Sequence, residues 1–171
     1  LQEVPFKKEL EFLKHYLDIE QTRFQDRLKV EMAIEPDTLD GLVPSMILQP
    51  LVENSVRHGV APRPEGGCNK TTAWRHHSLL RVEVEDDGPG LSDDTPPKER
   101  VGLTNTRARV SNLYGEEHGL RLRHAAGGGL VAVLFGANAL ITGEANYQGG
   151  DRQSFYGRFP FDERGGRFET A

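Results

Sequence analysis

Residues 46–59 read MILQPLVENSVRHG, and this stretch decides how the rest of the chain is interpreted. Its apolar residues recur at helical spacing, which predicts a helix with one face committed to a core. Asn54, Arg57 and His58 stand at positions i, i+3 and i+4 and therefore share another face of that helix. An amide oxygen can ligate a hard cation, and a guanidinium with an imidazole can contact phosphate oxygens. Taken alone, the stretch fits either an ordinary amphipathic core helix with a polar rim or a helix that holds a nucleotide with Mg²⁺.

A strand, a glycine-rich turn and a second helix follow this stretch in the sequence. Residues 82–86, Val-Glu-Val-Glu-Asp, alternate with period two and run into the turn 87–90, Asp-Gly-Pro-Gly. The turn is either an ordinary tight turn or a place where glycines let the backbone approach a ligand. Gly102 and Leu103 then open a second helical pattern, whose first N–H groups favour a bound phosphate.

In this order, the helix with Asn54, the strand that ends in Asp-x-Gly-x-Gly and the Gly-Leu helix start resemble the GHKL ATPases. More closely, residues 48–59, 101–109 and 113–115 look like the LytS-type sensor histidine kinases. The resemblance runs from about residue 4 to about residue 129. It implies an α/β fold, a two-layer α/β sandwich of the GHKL (Bergerat) type in which helices cover one face of a mixed sheet.

The resemblance implies a role for each predicted site residue. Asn54 would bind Mg²⁺ together with the ATP phosphates, and Arg57 with His58 would contact those phosphates. Asp87 would accept a hydrogen bond from the adenine amino group, which requires a buried carboxylate. The backbone would approach ATP closely at a further set of positions, namely Gly88, Gly90, Gly102 and Leu103. ATP and Mg²⁺ are thus the expected cofactors, and Asn54, Arg57 and His58 are the expected catalytic residues.

The sequence departs from the family's patterns at two positions. Hydrolytic GHKL enzymes carry a glutamate four residues before the Mg²⁺-binding asparagine, where this chain has Pro50. A water-activating base is therefore missing there, and the proline also predicts a kink or a late start of the helix. At the end of the predicted ATP lid, residues 91–101, Arg100 stands where the family usually has the first glycine of Gly-x-Gly-Leu. Glu53, four residues before Arg57, is interpreted as the partner in a helix salt bridge rather than as a general base.

Helical and strand patterns divide the chain into three parts. An apolar stripe at helical spacing extends to residue 24 and predicts a helix in residues 1–25, and the resemblance implies that this is a linker helix from a missing phosphoacceptor region. Residues 26–135 are the predicted ATP-binding domain, with strands expected at residues 28–34, 71–74, 79–85, 120–123 and 130–134. Residues 136–171 are an atypical extension, for which we expect an edge strand at 156–161 and a disordered tail over the last ten residues.

Composition narrows the range of functions. A net charge of -5, with Lys and Arg scattered along the chain, argues against nucleic acid as a partner. No apolar run approaches the roughly 18–20 residues of a membrane span, so a soluble fragment is expected, and the resemblance implies a cytoplasmic domain. His76 and His77 have no further His or Cys at ligand spacing, so a metal site is not expected at that pair.

The family's phosphoacceptor motif, a His followed by Phe-Leu-Phe-Asn, is absent from the sequence. The resemblance therefore implies the catalytic domain of a two-component sensor kinase that transfers the ATP γ-phosphate to a histidine outside this fragment. Its expected partners are ATP, the phosphoacceptor region of the parent kinase and a response regulator. The parent is expected to be a homodimer anchored in a bacterial inner membrane. Two alternatives stay open: a serine kinase of the anti-sigma type, and a degenerate nucleotide-binding or interaction module without catalysis.

Overall fold

The computed structural model of the chain describes residues 3–77, 79–90, 101–115, 119–137 and 167–169. Its α-helices are α1 (Phe6–Phe24), α2 (Gln49–Ser55) and α3 (Val101–Tyr114). Its strands are β1 (Glu3–Pro5), β2 (Leu28–Ile34), β3 (Leu42–Pro44), β4 (Gly67–His76), β5 (Leu79–Asp86), β6 (Gly119–His124), β7 (Leu130–Ala137) and β8 (Arg167–Glu169). A π-helical turn, Val56–Val60, continues α2 without a break.

The strands form one large mixed sheet and one small ribbon. The large sheet has the order β6-β7-β5-β4-β2-β8, in which β2 and β4 run parallel and the other neighbours run antiparallel. The ribbon pairs β1 with β3. This arrangement, with α1, α2 and α3 packed on the large sheet, confirms the predicted α/β sandwich.

The hydrophobic core lies between the helices and one face of the large sheet. Alternate residues of β2 and β5 are buried, as the period-two pattern of their sequences predicts. The buried side of this interface is one continuous cluster that includes Leu13 of α1, Leu51 of α2, Val110 of α3, Val30 of β2 and Val82 of β5. On the opposite face, Glu83 of β5 pairs with Arg81 at 3.0 Å and with Arg123 of β6 at 2.9 Å. The helices therefore cover the apolar face of the sheet and leave a charged face opposite.

The N-terminal helix begins later than predicted. Its buried stripe, Phe6, Leu10, Leu13, Leu17 and Phe24, matches the apolar pattern of the sequence. However, Pro5 has an extended backbone, and residues Glu3–Pro5 pair with β3 before the helix starts. Proline cannot supply the backbone donor that an earlier helical turn would need.

The helix that carries Asn54 also begins late, as Pro50 predicts. Residues 46–48 precede α2, and Pro50 occupies its first turn, where a missing backbone donor costs nothing. The side chains at 48, 51, 52, 55 and 56 are all buried, so the predicted core face of this helix is confirmed.

Three further expectations concern the C-terminal extension and the predicted lid. The disordered tail does not extend over Arg167–Glu169, because these residues form β8 and pair with residues 31–33 of β2. The edge strand expected at 156–161 lies outside the described residues, and so does the predicted lid with Arg100 except for its last residue, Val101, which begins α3. Among the helices of the described ranges, none has the length and hydropathy needed to cross a membrane.

Candidate functional site

A cavity of about 380 Å³ opens between α1, α2 and the start of α3. The helix α2 and its π-helical turn contribute Asn54, Arg57 and His58 to the lining, and α3 contributes Leu103. The spacing i, i+3 and i+4 predicts that the first three side chains share a face, and the structure confirms it. A buried amide, an exposed guanidinium and a half-buried imidazole thus face one space.

The opposite wall of the cavity belongs to α1. Tyr16, Glu20, Arg23 and Phe24 line the cavity from this side. Burial, together with the nearby charges of Glu20 and Glu53, raises the pKa of the Tyr16 phenol to about 12. Tyr16 is therefore a neutral hydrogen-bonding group at physiological pH. No local signal in the sequence marks these α1 residues, because their contact with α2 is a tertiary one.

Glu53 and Pro50 also line the cavity. The amide of Gln49 donates a hydrogen bond to the Glu53 carboxylate at 2.7 Å, so within the described residues Glu53 bonds to Gln49 rather than forming the predicted salt bridge with Arg57. Pro50 stands at the position where the sequence analysis notes a glutamate in hydrolytic GHKL enzymes. A proline side chain has no acidic or basic group.

The buried carboxylate at the end of β5 belongs to Asp86, which is only 5% exposed. The backbone N–H groups of Gly88 and Leu130 donate hydrogen bonds to its Oδ1 at 3.0 and 3.4 Å. Burial raises the pKa of Asp86, and these two hydrogen bonds oppose the shift. The remaining oxygen, Oδ2, receives neither of these bonds.

Asp87 does not occupy the position that the sequence analysis gave it. Its side chain is 52% exposed and pairs with Arg63 at 3.0 Å, and it also accepts a hydrogen bond from the Cys68 N–H at 2.8 Å. Strand alternation explains the difference, because Asp86 follows Val82 and Val84 onto the buried face whereas Asp87 follows the charged residues. The requirement for a buried carboxylate is met by Asp86 and not by Asp87.

The glycines around Asp86 are required by the packing of the protein itself. A Cβ on Gly59 would lie 2.6 Å from the Cβ of Asp86, and a Cβ on Gly88 would lie 2.6 Å from the Cα of Gly59. Gly90 has a positive φ of 69°, and an added Cβ there would collide with the backbone of Gly128. Gly59, which the sequence analysis did not single out, is therefore the contact between the π-helical turn and the Asp86 turn.

The predicted site residues thus form two neighbouring groups. Asn54, Arg57, His58 and Leu103 line the cavity, whereas Asp86, Gly88 and Gly90 lie beyond Gly59 and are not among its lining residues. Gly102 is the second residue of α3, next to Leu103. In the described part of the chain, no group of three or more His, Cys, Asp or Glu side chains is placed to hold a metal ion.

Comparison with known proteins places the chain among sensor kinases. It is 34% identical over 139 residues to the sensor histidine kinase YpdA of Escherichia coli K12, covering 77% of this chain. It is 32% identical over 125 residues to the sensor protein LytS of Enterococcus faecalis, covering 67% of this chain. The chain is a relative of the LytS-type sensor histidine kinases. No family model matches it.

The fold agrees with this relationship. The catalytic domain of the histidine kinase ThkA superposes with a TM-score of 0.60 at 16% identity, and the match covers 80% of this chain and 96% of that domain. The resemblance to LytS-type kinases is therefore confirmed for the family and for the fold. The chain spans 24% of the length of YpdA and 21% of the length of LytS, about a quarter or less of each sensor kinase.

Proposed function

We propose that this chain is the ATP-binding catalytic domain of a sensor histidine kinase. The observation that carries the proposal is the convergence of Asn54, Arg57 and His58 on one cavity that also receives Leu103 from α3. Phosphoryl transfer depends mainly on positioning and charge neutralisation, and this site offers a metal ligand and two groups that bind phosphate oxygens. The chain's relationship to YpdA and LytS supports the same activity.

In this proposal, each residue has a role that its chemistry supports. The amide oxygen of Asn54 coordinates Mg²⁺, and the metal, when bound, neutralises charge on the phosphates. Arg57 and His58 contact the phosphate oxygens. Asp86 replaces Asp87 as the acceptor for the adenine amino group, because the carboxylate of Asp86 is buried. The N–H groups of Gly88 and Leu130 donate to its Oδ1, so the proposed adenine contact uses Oδ2.

The partners follow from the same reasoning. The γ-phosphate goes to a histidine outside this chain and then to a response regulator. The kinase ThkA, whose complex with the response regulator TrrA superposes with a TM-score of 0.61, supports such a partnership. We further propose that the parent protein is a membrane-anchored homodimer and that this domain lies on the cytoplasmic side.

Titration with ATP in the presence and absence of Mg²⁺ tests the proposal. Wild-type protein should bind ATP more tightly with Mg²⁺, and Asn54→Ala should lose most of that gain because a metal ligand is removed. Asn112→Ala, on the exposed side of α3, is the matched control and should behave as wild type. A protein that binds no ATP, or whose affinity ignores Mg²⁺, would instead be the degenerate module.

A further inference from the structure

Glu9 of α1 is a charged residue in the core, only 2% exposed. Its carboxylate accepts hydrogen bonds from three consecutive backbone N–H groups, those of Met46 at 2.7 Å, Ile47 at 2.9 Å and Leu48 at 3.4 Å. These residues immediately precede α2, whose start has no side-chain cap of its own. A residue from a different helix therefore satisfies backbone donors at the start of the helix that carries Asn54.

The segment 45–48, which we call the α2 entry turn, is also held from the opposite side. Arg109 of α3 donates a hydrogen bond from Nη2 to the carbonyl oxygen of Ser45 at 2.9 Å. Met46 has a positive φ of 58°, which an L-residue adopts at a cost of about 1 kcal/mol or more. The contacts of Glu9 and Arg109 hold the entry turn in this uncommon conformation.

The entry turn determines where α2 points. The carbonyl oxygen of Leu48 accepts hydrogen bonds from the N–H groups of Leu51 at 3.0 Å and Val52 at 3.1 Å, which form the first turn of the helix. Asn54 follows less than one further turn later. A change in the entry turn would therefore act directly on the first turn of α2, next to Asn54.

We propose that Glu9 is a positioning residue of the nucleotide site. By fixing the α2 entry turn, it sets where Asn54 presents its amide oxygen to Mg²⁺. A movement of α1 would reach Asn54 through this buried carboxylate, and not only through contacts at the cavity wall. The inference rests on the proposed function, since it requires Asn54 to bind the metal of an ATP complex.

The test is a double-mutant cycle between Glu9→Gln and Asn54→Ala, measured as ATP affinity with and without Mg²⁺. Glutamine keeps the shape of the side chain and one acceptor oxygen but has no charge and presents an N–H₂ group to backbone donors. We expect the Mg²⁺-dependent gain in affinity to fall about five- to tenfold in Glu9→Gln. Once Asn54 is alanine, the same change at Glu9 should cost nothing further, because the two residues act in series.

Glu11→Gln is the control, because it makes the same chemical change on the same helix without any of these contacts. Chemical denaturation identifies conditions in which each variant is fully folded, so that a loss of affinity is not a loss of native protein. If Glu9→Gln does not fold, Arg109→Lys loosens the entry turn from the side of α3. It should produce the same loss of the Mg²⁺ effect.

The possible outcomes separate this inference from the proposed function. Wild-type protein without ATP affinity would remove both. If wild type binds MgATP and Asn54→Ala loses the metal effect while Glu9→Gln matches Glu11→Gln, the positioning role is refuted and the proposed function stands. Additive losses at Glu9 and Asn54 would also refute it, because Glu9 would then act on affinity by a route other than Asn54. If Arg109→Lys is measured in place of Glu9→Gln, an unchanged Mg²⁺-dependent gain in ATP affinity would likewise refute the positioning role.

Discussion

Replacing Asp86 by asparagine tests the base-recognition half of the site. The backbone N–H groups of Gly88 and Leu130 donate to Oδ1 of Asp86, and the amide oxygen of asparagine can take over that position. The amide N–H₂ then occupies the place of Oδ2. A second donor would therefore face the adenine amino group, where the proposed contact requires an acceptor.

The size of the effect follows from the loss of a charge-assisted hydrogen bond in a buried place. Such bonds contribute about 1.5 to 3 kcal/mol, which corresponds to a loss of ATP affinity of about 10- to 150-fold. Calorimetric titration with ATP measures this directly. GTP affinity should change much less, because guanine presents a carbonyl oxygen at the same position of the ring.

Asp86→Asn should weaken ATP binding but raise the free energy of unfolding relative to wild type as the pH rises. Burial raises the pKa of Asp86 above its ordinary value of 3.8, so the folded state binds this proton more tightly than the unfolded state. The contribution of the group to stability is therefore complete below about pH 3.8 and is lost as the pH rises through the raised pKa. Asp86→Asn has no such loss, so its free energy of unfolding relative to wild type should increase from pH 4 towards neutrality.

Asp87→Asn is the matched control, one residue away. Its carboxylate is 52% exposed and its ion pair with Arg63 lies at the surface, so the expected change in ATP affinity is less than about threefold. A greater loss of affinity in Asp87→Asn than in Asp86→Asn would refute the reassignment. It would restore Asp87 to the adenine contact that the sequence analysis proposed.

Three further predictions concern the rest of the site. Gly59→Ala should lower the free energy of unfolding by about 1 to 3 kcal/mol in urea denaturation and weaken ATP binding, because its methyl group would lie 2.6 Å from the Cβ of Asp86. The purified chain should release ADP far more slowly than the roughly 1 to 100 s⁻¹ of kinases acting on their substrates, since Pro50 provides no base; rapid release would favour a hydrolytic enzyme. The chain should not phosphorylate itself, because His15 is exposed on α1 and is not among the cavity-lining residues; acid-labile label on His15 after incubation with labelled ATP would contradict this.

The parts of the fold that follow a local repeat were predictable from the sequence. The strand at Leu28–Ile34 was predicted with its observed bounds, because alternation along a half-buried strand is a property of neighbouring residues. Likewise, Asn54, Arg57 and His58 were expected on one face because helical spacing alone puts them there. The register of Asp86 and Asp87 was readable in the same way, since positions 80, 82, 84 and 86 have one parity and are buried. That alternation puts Asp86, and not Asp87, on the buried face.

What the sequence did not reveal depends on contacts between distant segments. The entry turn before α2 meets Glu9 and Arg109, residues that lie 37 and 64 positions away along the chain. Met46 has a positive φ although it is neither glycine nor asparagine, the residues that usually indicate this conformation in a sequence. Similarly, β8 lies at the edge of the sheet because residues far along the chain return to β2, and a three-residue strand carries too little pattern to be recognised.

The helix α1 belongs to the core of the domain as well as to the wall of the cavity. The sequence predicted residues 1–25 as a linker separate from residues 26–135, but Phe6, Leu10, Leu13 and Leu17 are buried in the same cluster as the residues of the sheet. At about 1.5 to 3 kcal/mol for each such side chain, their burial contributes about 6 to 12 kcal/mol. That is comparable with the whole net stability of a typical domain, about 5 to 15 kcal/mol. A helix held this firmly cannot slide over α2 independently. Because Glu9 lies in the same buried stripe and Tyr16 lies about two turns further along at the cavity, a shift of α1 has to move the α2 entry turn and the cavity wall together.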